Sequence, residues 1–183
     1  VALLDPDLAH HYLGVTRTQM RVAVVSVYMG NLPRWVIDAQ DAVVRRFLPR
    51  HDDEVVWTQL HTHARHGEAL DAFIKASDAD IFVIFDVDAI PLSEAAMAYL
   101  IDHAKRGVLT GIIQRSNHIA NNRHVYVAPS VMAFSRETFQ RIGEPSFLET
   151  DRGDVGEELT YLADAAGVPV ELKVVAIFKA ICP

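Results

Sequence analysis

Ile81-Phe82-Val83-Ile84-Phe85-Asp86-Val87-Asp88-Ala89-Ile90-Pro91-Leu92 decides the fold, because an uninterrupted apolar run ends here in two aspartates separated by one valine. β-branched and aromatic residues without a polar break mark a strand covered on both faces, as in the middle of a parallel α/β sheet. If the chain stays extended through Val87, side-chain alternation turns Asp86 and Asp88 to the same side, at the strand's carboxyl end. Two like charges so close need a cation or hydrogen-bond donors between them. Hard oxygen ligands suit Mg2+ or Mn2+, ions that keep positions open for water and phosphate oxygens. Ligands of open α/β sheets bind at that edge, which makes a metal role for Asp86 and Asp88 a better account than a solvated strand end.

The flanking sequence repeats the pattern. Val22 to Val27 predicts a first strand, followed by the turn-forming Tyr28-Met29-Gly30-Asn31-Leu32-Pro33. A helix from about Arg34 is expected to bury Val36, Ala39, Val43, Val44 and Phe47, with Pro49 ending it. Glu54 to Thr58 predicts a second strand, and Gly67 to Ala76 an amphipathic helix with Leu70, Phe73 and Ile74 inward. This β-α-β-α-β order with short connections implies right-handed crossovers and a parallel, three-layer start. Beyond the aspartates, Ser93 caps a helix with Met97, Leu100, Ile101 and Ala104 inward and Gly107 past its end. Val108 to Ile113 predicts a fourth strand, and the polar stretch Gln114 to His124 a binding loop. Val125 to Ala128 and Val131 to Phe134 are expected to be extended, with Pro129-Ser130 implying an edge or a bend. A short helix from Glu137 to Ile142, a helix opened by Asp154-Val155-Gly156-Glu157 and a strand from Val168 to Val175 complete the series.

A chain of 183 residues, 50% apolar and 22% charged, suits a single globular domain. Its net charge of -7 argues against a nucleic-acid partner. No stretch approaches the length of a transmembrane span. The opening Val1-Ala2-Leu3-Leu4-Asp5-Pro6-Asp7 lacks the basic region of a signal peptide, and Cys182 is the only cysteine, so a reducing, cytoplasmic setting is expected. The expected division is an N-terminal extension over 1–20 with a short helix after Asp5, a main α/β domain over 21–175, and a tail over 176–183, expected to be incomplete. His10-His11 diverge on that helix as surface histidines. His61, His63 and His66 form a His-x-His-x-x-His run, yet no second cluster supports zinc.

With these elements in place, the sequence resembles the nucleotide-diphospho-sugar transferases, the GT-A type of glycosyltransferase. The resemblance rests on Asp86-Val87-Asp88 after an apolar strand, on the helix His66-Gly67-Glu68-Ala69-Leu70-Asp71 before it, and on the order of elements from about Arg21 to Leu172. It implies a three-layer α/β/α domain with a mixed, mostly parallel sheet. The implied activity is metal-dependent transfer of a sugar, with inversion, from a nucleoside-diphosphate-sugar to a hydroxyl acceptor. The acceptor class is a glycan, a lipid-linked intermediate, a protein or a small molecule. The resemblance assigns Asp86 and Asp88 to Mn2+ or Mg2+, and Ser26, Tyr28 and Gly30 to the base and ribose. Arg65, His66 and Asp71 become further donor contacts, with Arg115 beside Arg65 as a candidate for the diphosphate. Asp154 is the first candidate for the general base and Glu157 the second, although their Asp-x-x-Glu spacing also fits a helix capping box. The sequence departs from many relatives in having no histidine after His124 to serve as a third metal ligand.

Three other functions compete. A haloacid-dehalogenase-type phosphohydrolase also places Asp-x-Asp after an apolar strand, but on its first strand, whereas two β-α units precede Asp86. A sugar nucleotidylyltransferase needs a glycine-rich basic loop that Tyr28 to Arg34 does not supply. A non-catalytic sugar-nucleotide-binding domain would keep the fold without turnover.

Overall fold

The computed structural model describes residues 19–49, 53–117 and 123–173. The helix expected after Asp5, the tail over 176–183 and Cys182 lie outside the described residues. In chain order the elements are β1 (Arg21–Met29), α1 (Arg34–Phe47), β2 (Glu54–Thr62), α2 (His66–Ala76), β3 (Ile81–Asp86), α3 (Glu94–Lys105), β4 (Leu109–Arg115), β5 (Val125–Ser135), α4 (Arg136–Arg141), α5 (Glu157–Ala165) and β6 (Val170–Lys173).

The strands form one six-stranded sheet in the order β2-β1-β3-β5-β4-β6. The β1/β2, β1/β3 and β4/β6 pairs are parallel, while β5 runs antiparallel to both β3 and β4. Helices cover both faces, and the two-residue period of the strands divides the core between them. Val22 and Val24 of β1 join Ile81, Val83 and Phe85 of β3 beneath α1 and α3, together with Met97 and Leu100. Val25 and Val27 join Phe82 and Ile84 on the other face, with Leu70 of α2 and Leu159 of α5. A strand apolar at every position is therefore one that serves two cores.

Helix α3 buries the four residues its periodicity marks, Met97, Leu100, Ile101 and Ala104, and Ser93 Oγ accepts from Ala96 N at 3.1 Å to cap it. On α1 the expectation fails in part. Val36 and Val44 are buried, but Ala39 is exposed and the polar Gln40 is buried beside Ile37. Strand β2 also runs four residues beyond Thr58, to Thr62.

The expected break at Pro129 is a bend and not an edge. Strand β5 is continuous and lies inside the sheet, with Phe85 opposite Val131 and Ile113 opposite Val127. The β4/β5 register shifts between Gly111 and Ile113, so residues 128–130 have no ladder partner. Proline, which cannot donate to a ladder, is tolerated at such a bulge. Because β3 ends at Asp86 opposite this bulge, the outer parts of β4 and β5 stand beyond it as a wall. That step in the sheet makes the cleft.

Candidate active site

A cleft of about 270 Å3 lies where β3 ends, lined by His66, Asp86, Gln114, Tyr126, Pro129, Ser130, Asp154 and Val155. Its floor is Asp86, the last residue of β3. The chain does not stay extended beyond it: Val87 and Asp88 form a turn, closed by Ala89 N donating to Asp86 O at 2.9 Å. Strand alternation therefore does not make Asp86 and Asp88 a matched pair, a correction that follows from strand length alone. The turn is clamped from beneath by Gln40, whose Nε2 donates to Asp86 O at 2.6 Å and to Ala89 O at 2.9 Å. Gln59 Nε2 donates in turn to Gln40 Oε1 at 3.1 Å and to Ile37 O at 2.9 Å. Buried carbonyls at the end of a strand need such donors.

The opposite wall carries Asp154, in the loop before α5. Gly156 takes the left-handed conformation, φ 72°, directly before the helix, and a side chain there would lie 2.6 Å from the Pro129 ring. Glycine is thus required both for the turn and for the close approach of α5 to the bulge of β5. Glu157 does not face the cleft. Its carboxyl group is fully buried, accepting from Ser116 Oγ at 2.8 Å and from Asp154 N at 2.8 Å, and sharing a 2.7 Å hydrogen bond with His124 Nδ1. The bond to Asp154 N is half of the expected capping box. The other half is missing, since Asp154 Oδ1 accepts from Val155 N at 3.0 Å. Behind Glu157, His124 stacks on Tyr161 at 3.8 Å.

Burial pushes the Tyr126 phenol above its ordinary pKa, and the charges of Asp154, Glu157 and Asp86 add to the shift. No lysine or arginine is among the described residues that line the cleft. A phosphate group entering it would meet carboxyl groups, so a divalent cation between them fits this donor set. No cluster of three or more histidine, cysteine or acidic side chains suited to a metal occurs among the described residues. The fit is therefore to a metal sharing its coordination with water and phosphate, as hard cations commonly do.

A second hollow of about 210 Å3 adjoins the first and is lined by Val27, Tyr28, Met29, Asn31, Leu32, Thr62, Ala64, His66 and Val87. His66 borders both. Tyr28 stacks on His61 with ring centroids 5.3 Å apart, and Gly30 is packed so closely to this ring that a side chain would meet His61 Nε2 at 2.9 Å. Other expected contacts fall elsewhere. Ser26 is fully buried inside β1, three residues before its end, and lines neither hollow. The Arg65 guanidinium is held by Glu68 at 2.9 Å, and Arg115 is exposed at the end of β4. Asp71 serves the architecture, accepting from Ser146 Oγ at 2.5 Å and Phe147 N at 2.8 Å. Sequence reasoning missed Gln40, Tyr126 and Ser130 as parts of the site. Only Gln40 carried a signal, a polar residue four positions from both Val36 and Val44 on an apolar helix face.

No family model and no curated protein matches the sequence. Solved structures match throughout most of the chain. A mannosyltransferase from Pyrobaculum calidifontis, in complex with GDP-Man and Mn2+, aligns with a TM-score of 0.59 and 17% identity, covering 86% of this chain. The chain spans 55% of that protein's length. A mutant of Drosophila β-1,4-galactosyltransferase 7 in complex with manganese, UDP-Gal and xylobiose aligns with a TM-score of 0.59 and 14% identity, over 89% of this chain and 71% of that one. A 4-diphosphocytidyl-2C-methyl-D-erythritol synthase from Anaerococcus prevotii aligns with a TM-score of 0.51 and 12% identity, over 85% and 88%. The fold is thus that of the GT-A-like transferases, a single α/β domain on a mixed, mostly parallel sheet. No described helix is long and apolar enough to cross a membrane.

Proposed function

We propose that the protein is a metal-dependent glycosyltransferase that moves a sugar from a nucleoside-diphosphate-sugar to a hydroxyl acceptor with inversion. One observation carries this reading: Asp86 and Asp154 line the same cleft at the carboxyl edge of the sheet, with no lysine or arginine among its described lining residues. Such a cleft accepts a diphosphate only together with a divalent cation. The smaller hollow beside Tyr28 then takes the base and ribose, with the ring offering a stacking face. Asp86 and Asp88 would hold the metal, which when bound supplies Lewis-acid stabilisation of the charge developing on the leaving diphosphate. Asp154 accepts the acceptor's proton as its oxygen attacks the anomeric carbon on the face away from the diphosphate. Glu157 acts behind it, holding the Asp154 backbone so that the carboxyl group points into the cleft. The structural likeness of the synthase favours nucleotidyl transfer as a second reading. Against it, the loop from Tyr28 to Arg34 has one glycine, and its arginine is engaged by Asp38 at 2.8 Å.

Thermal shifts with nucleoside diphosphates, their sugars and nucleoside triphosphates, each with Mn2+, Mg2+ or a chelator, test the reading. A ligand at a hundred times its dissociation constant adds about 2.7 kcal/mol of stability. Metal-dependent stabilisation by one class of nucleotide-sugar, lost in Asp86→Asn and Asp88→Asn, supports glycosyl transfer. Stabilisation by a triphosphate but by no diphosphate-sugar would replace it with nucleotidyl transfer. Stabilisation by fluoroaluminate with Mg2+ alone would point to a phosphohydrolase.

A further inference from the structure

We propose that His66 supplies a nitrogen ligand to the divalent cation, so that His66 Nε2 and Asp86 Oδ1 form a mixed pair that favours Mn2+ over Mg2+. The inference rests on the reading of the cleft as a metal-dependent donor site and assigns to it a ligand outside the Asp-x-Asp motif. His66 Nε2 is buried and has no hydrogen-bond partner. A buried polar atom left unpaired costs stability, and such atoms are uncommon unless a group that completes them is missing. The nitrogen lies 3.7 Å from Asp86 Oδ1. Two donors each about 2.1 Å from one ion stand between about 3 Å apart at right angles and about 4.2 Å apart when opposed. The observed separation falls inside that interval.

His66 borders both hollows. A ligand whose nucleoside fills the smaller one and whose sugar enters the larger would pass its diphosphate beside this ring. The backbone that carries the ring is also fixed. His66 is the first residue of α2, and a side chain on the next residue, Gly67, would meet Phe147 O at 2.7 Å, so the helix start is pressed against the loop between α4 and α5. Asp71, one turn further, ties the same loop through Ser146 Oγ and Phe147 N. A ligand carried on an anchored backbone spends less freedom on binding than one on a loose segment. Carboxylates alone suit Mg2+ and Mn2+ alike, whereas an imidazole nitrogen shifts the preference toward the transition metal.

The test is pulsed electron paramagnetic resonance of Mn2+ on the full chain, alone and with UDP or GDP. The wild type should show the 14N modulation of a coordinated imidazole, and growth on 15N-histidine should replace it with the 15N pattern. His66→Gln should lose the modulation and bind Mn2+ at least tenfold more weakly. His66→Asp should recover binding without the nitrogen signal and with the Mn2+ over Mg2+ preference reduced severalfold. Mn2+ bound with a nucleotide but without nitrogen modulation overturns the inference and leaves the transferase reading standing. Modulation that persists in His66→Gln overturns it as well, by assigning the nitrogen to another residue. Failure of the wild type to bind Mn2+ with either nucleotide defeats both. If the variants do not fold, the 15N substitution in the wild type still decides whether a histidine is bound.

Discussion

The floor and the wall of the cleft are built by different means. Asp86 on the floor is presented by the course of the backbone: a buried strand ends, the chain turns, and Gln40 holds two carbonyls of the turn. Asp154 on the wall is presented by one buried carboxyl group, that of Glu157, which gathers Ser116, His124 and Asp154 from three separate places in the chain. The floor shares its load among many backbone groups. The wall concentrates it on a single side chain. Substitutions that leave the floor weakened but standing should therefore disrupt the wall.

The largest expected effect tests which side does the chemistry. Asp154→Asn should lower kcat for sugar transfer by about 10^2 to 10^4-fold, the range for loss of a general base, with nucleotide affinity unchanged. An equal loss of nucleotide affinity would place Asp154 with the donor and abolish the division between floor and wall. Next comes the contrast in stability. Glu157→Ala leaves Ser116, which is buried, and the half-buried His124 and Asp154 without their acceptor and should cost about 3–5 kcal/mol, since each orphaned group costs about 1–3 kcal/mol before relaxation. Gln40→Ala orphans fewer groups and should cost about 1–3 kcal/mol, while weakening metal-dependent nucleotide binding through movement of Asp86. Urea denaturation of both variants measures the difference. A larger loss for Gln40→Ala than for Glu157→Ala would reverse the comparison.

The same division separates what the sequence reveals from what it hides. The floor half is legible because its signals are local: the apolar run of β3, the cap at Ser93 and the period of α3 each specify one element from adjacent residues. The wall half depends on pairing across long separations. Pro129 reads as an edge or a bend, and only the register of β5 against both β3 and β4 shows that it sits at a bulge within the sheet. Glu157 reads as a second candidate for the base or as half of a capping box, because its partners Ser116 and His124 are 41 and 33 residues away. The floor has its own illegible points. Strand ends are set by neighbours, so Ser26, expected at the end of β1, lies inside it where β2 and β3 flank it at Gln59 and Phe85. For the same reason β3 ends too soon for Asp86 and Asp88 to alternate as strand residues.

The smallest expected effect concerns what holds α5 to the wall. Glu158 stands in the first turn of α5, and its hydrogen bond from Arg152 holds its carboxyl below the ordinary value of 4.5, against an opposing contribution from burial. A lowered pKa in the folded state means that the group stabilises the fold above the ordinary carboxylate range and that this stability is lost as pH falls through the folded value. Glu158→Gln should therefore be less stable than the wild type at pH 7, and the gap should narrow as pH drops below about 4.5. Arg152 is half exposed, so screening keeps the gap small, and urea titrations at several pH values are needed to see it. A gap that does not change with pH would assign the work of Arg152 to its other contact. Its guanidinium lies 4.5 Å from the centroid of the Tyr161 ring, and the opposite contact of Tyr161 is the stack with His124. The wall would then be secured from Arg152 to Glu157 by ring stacking.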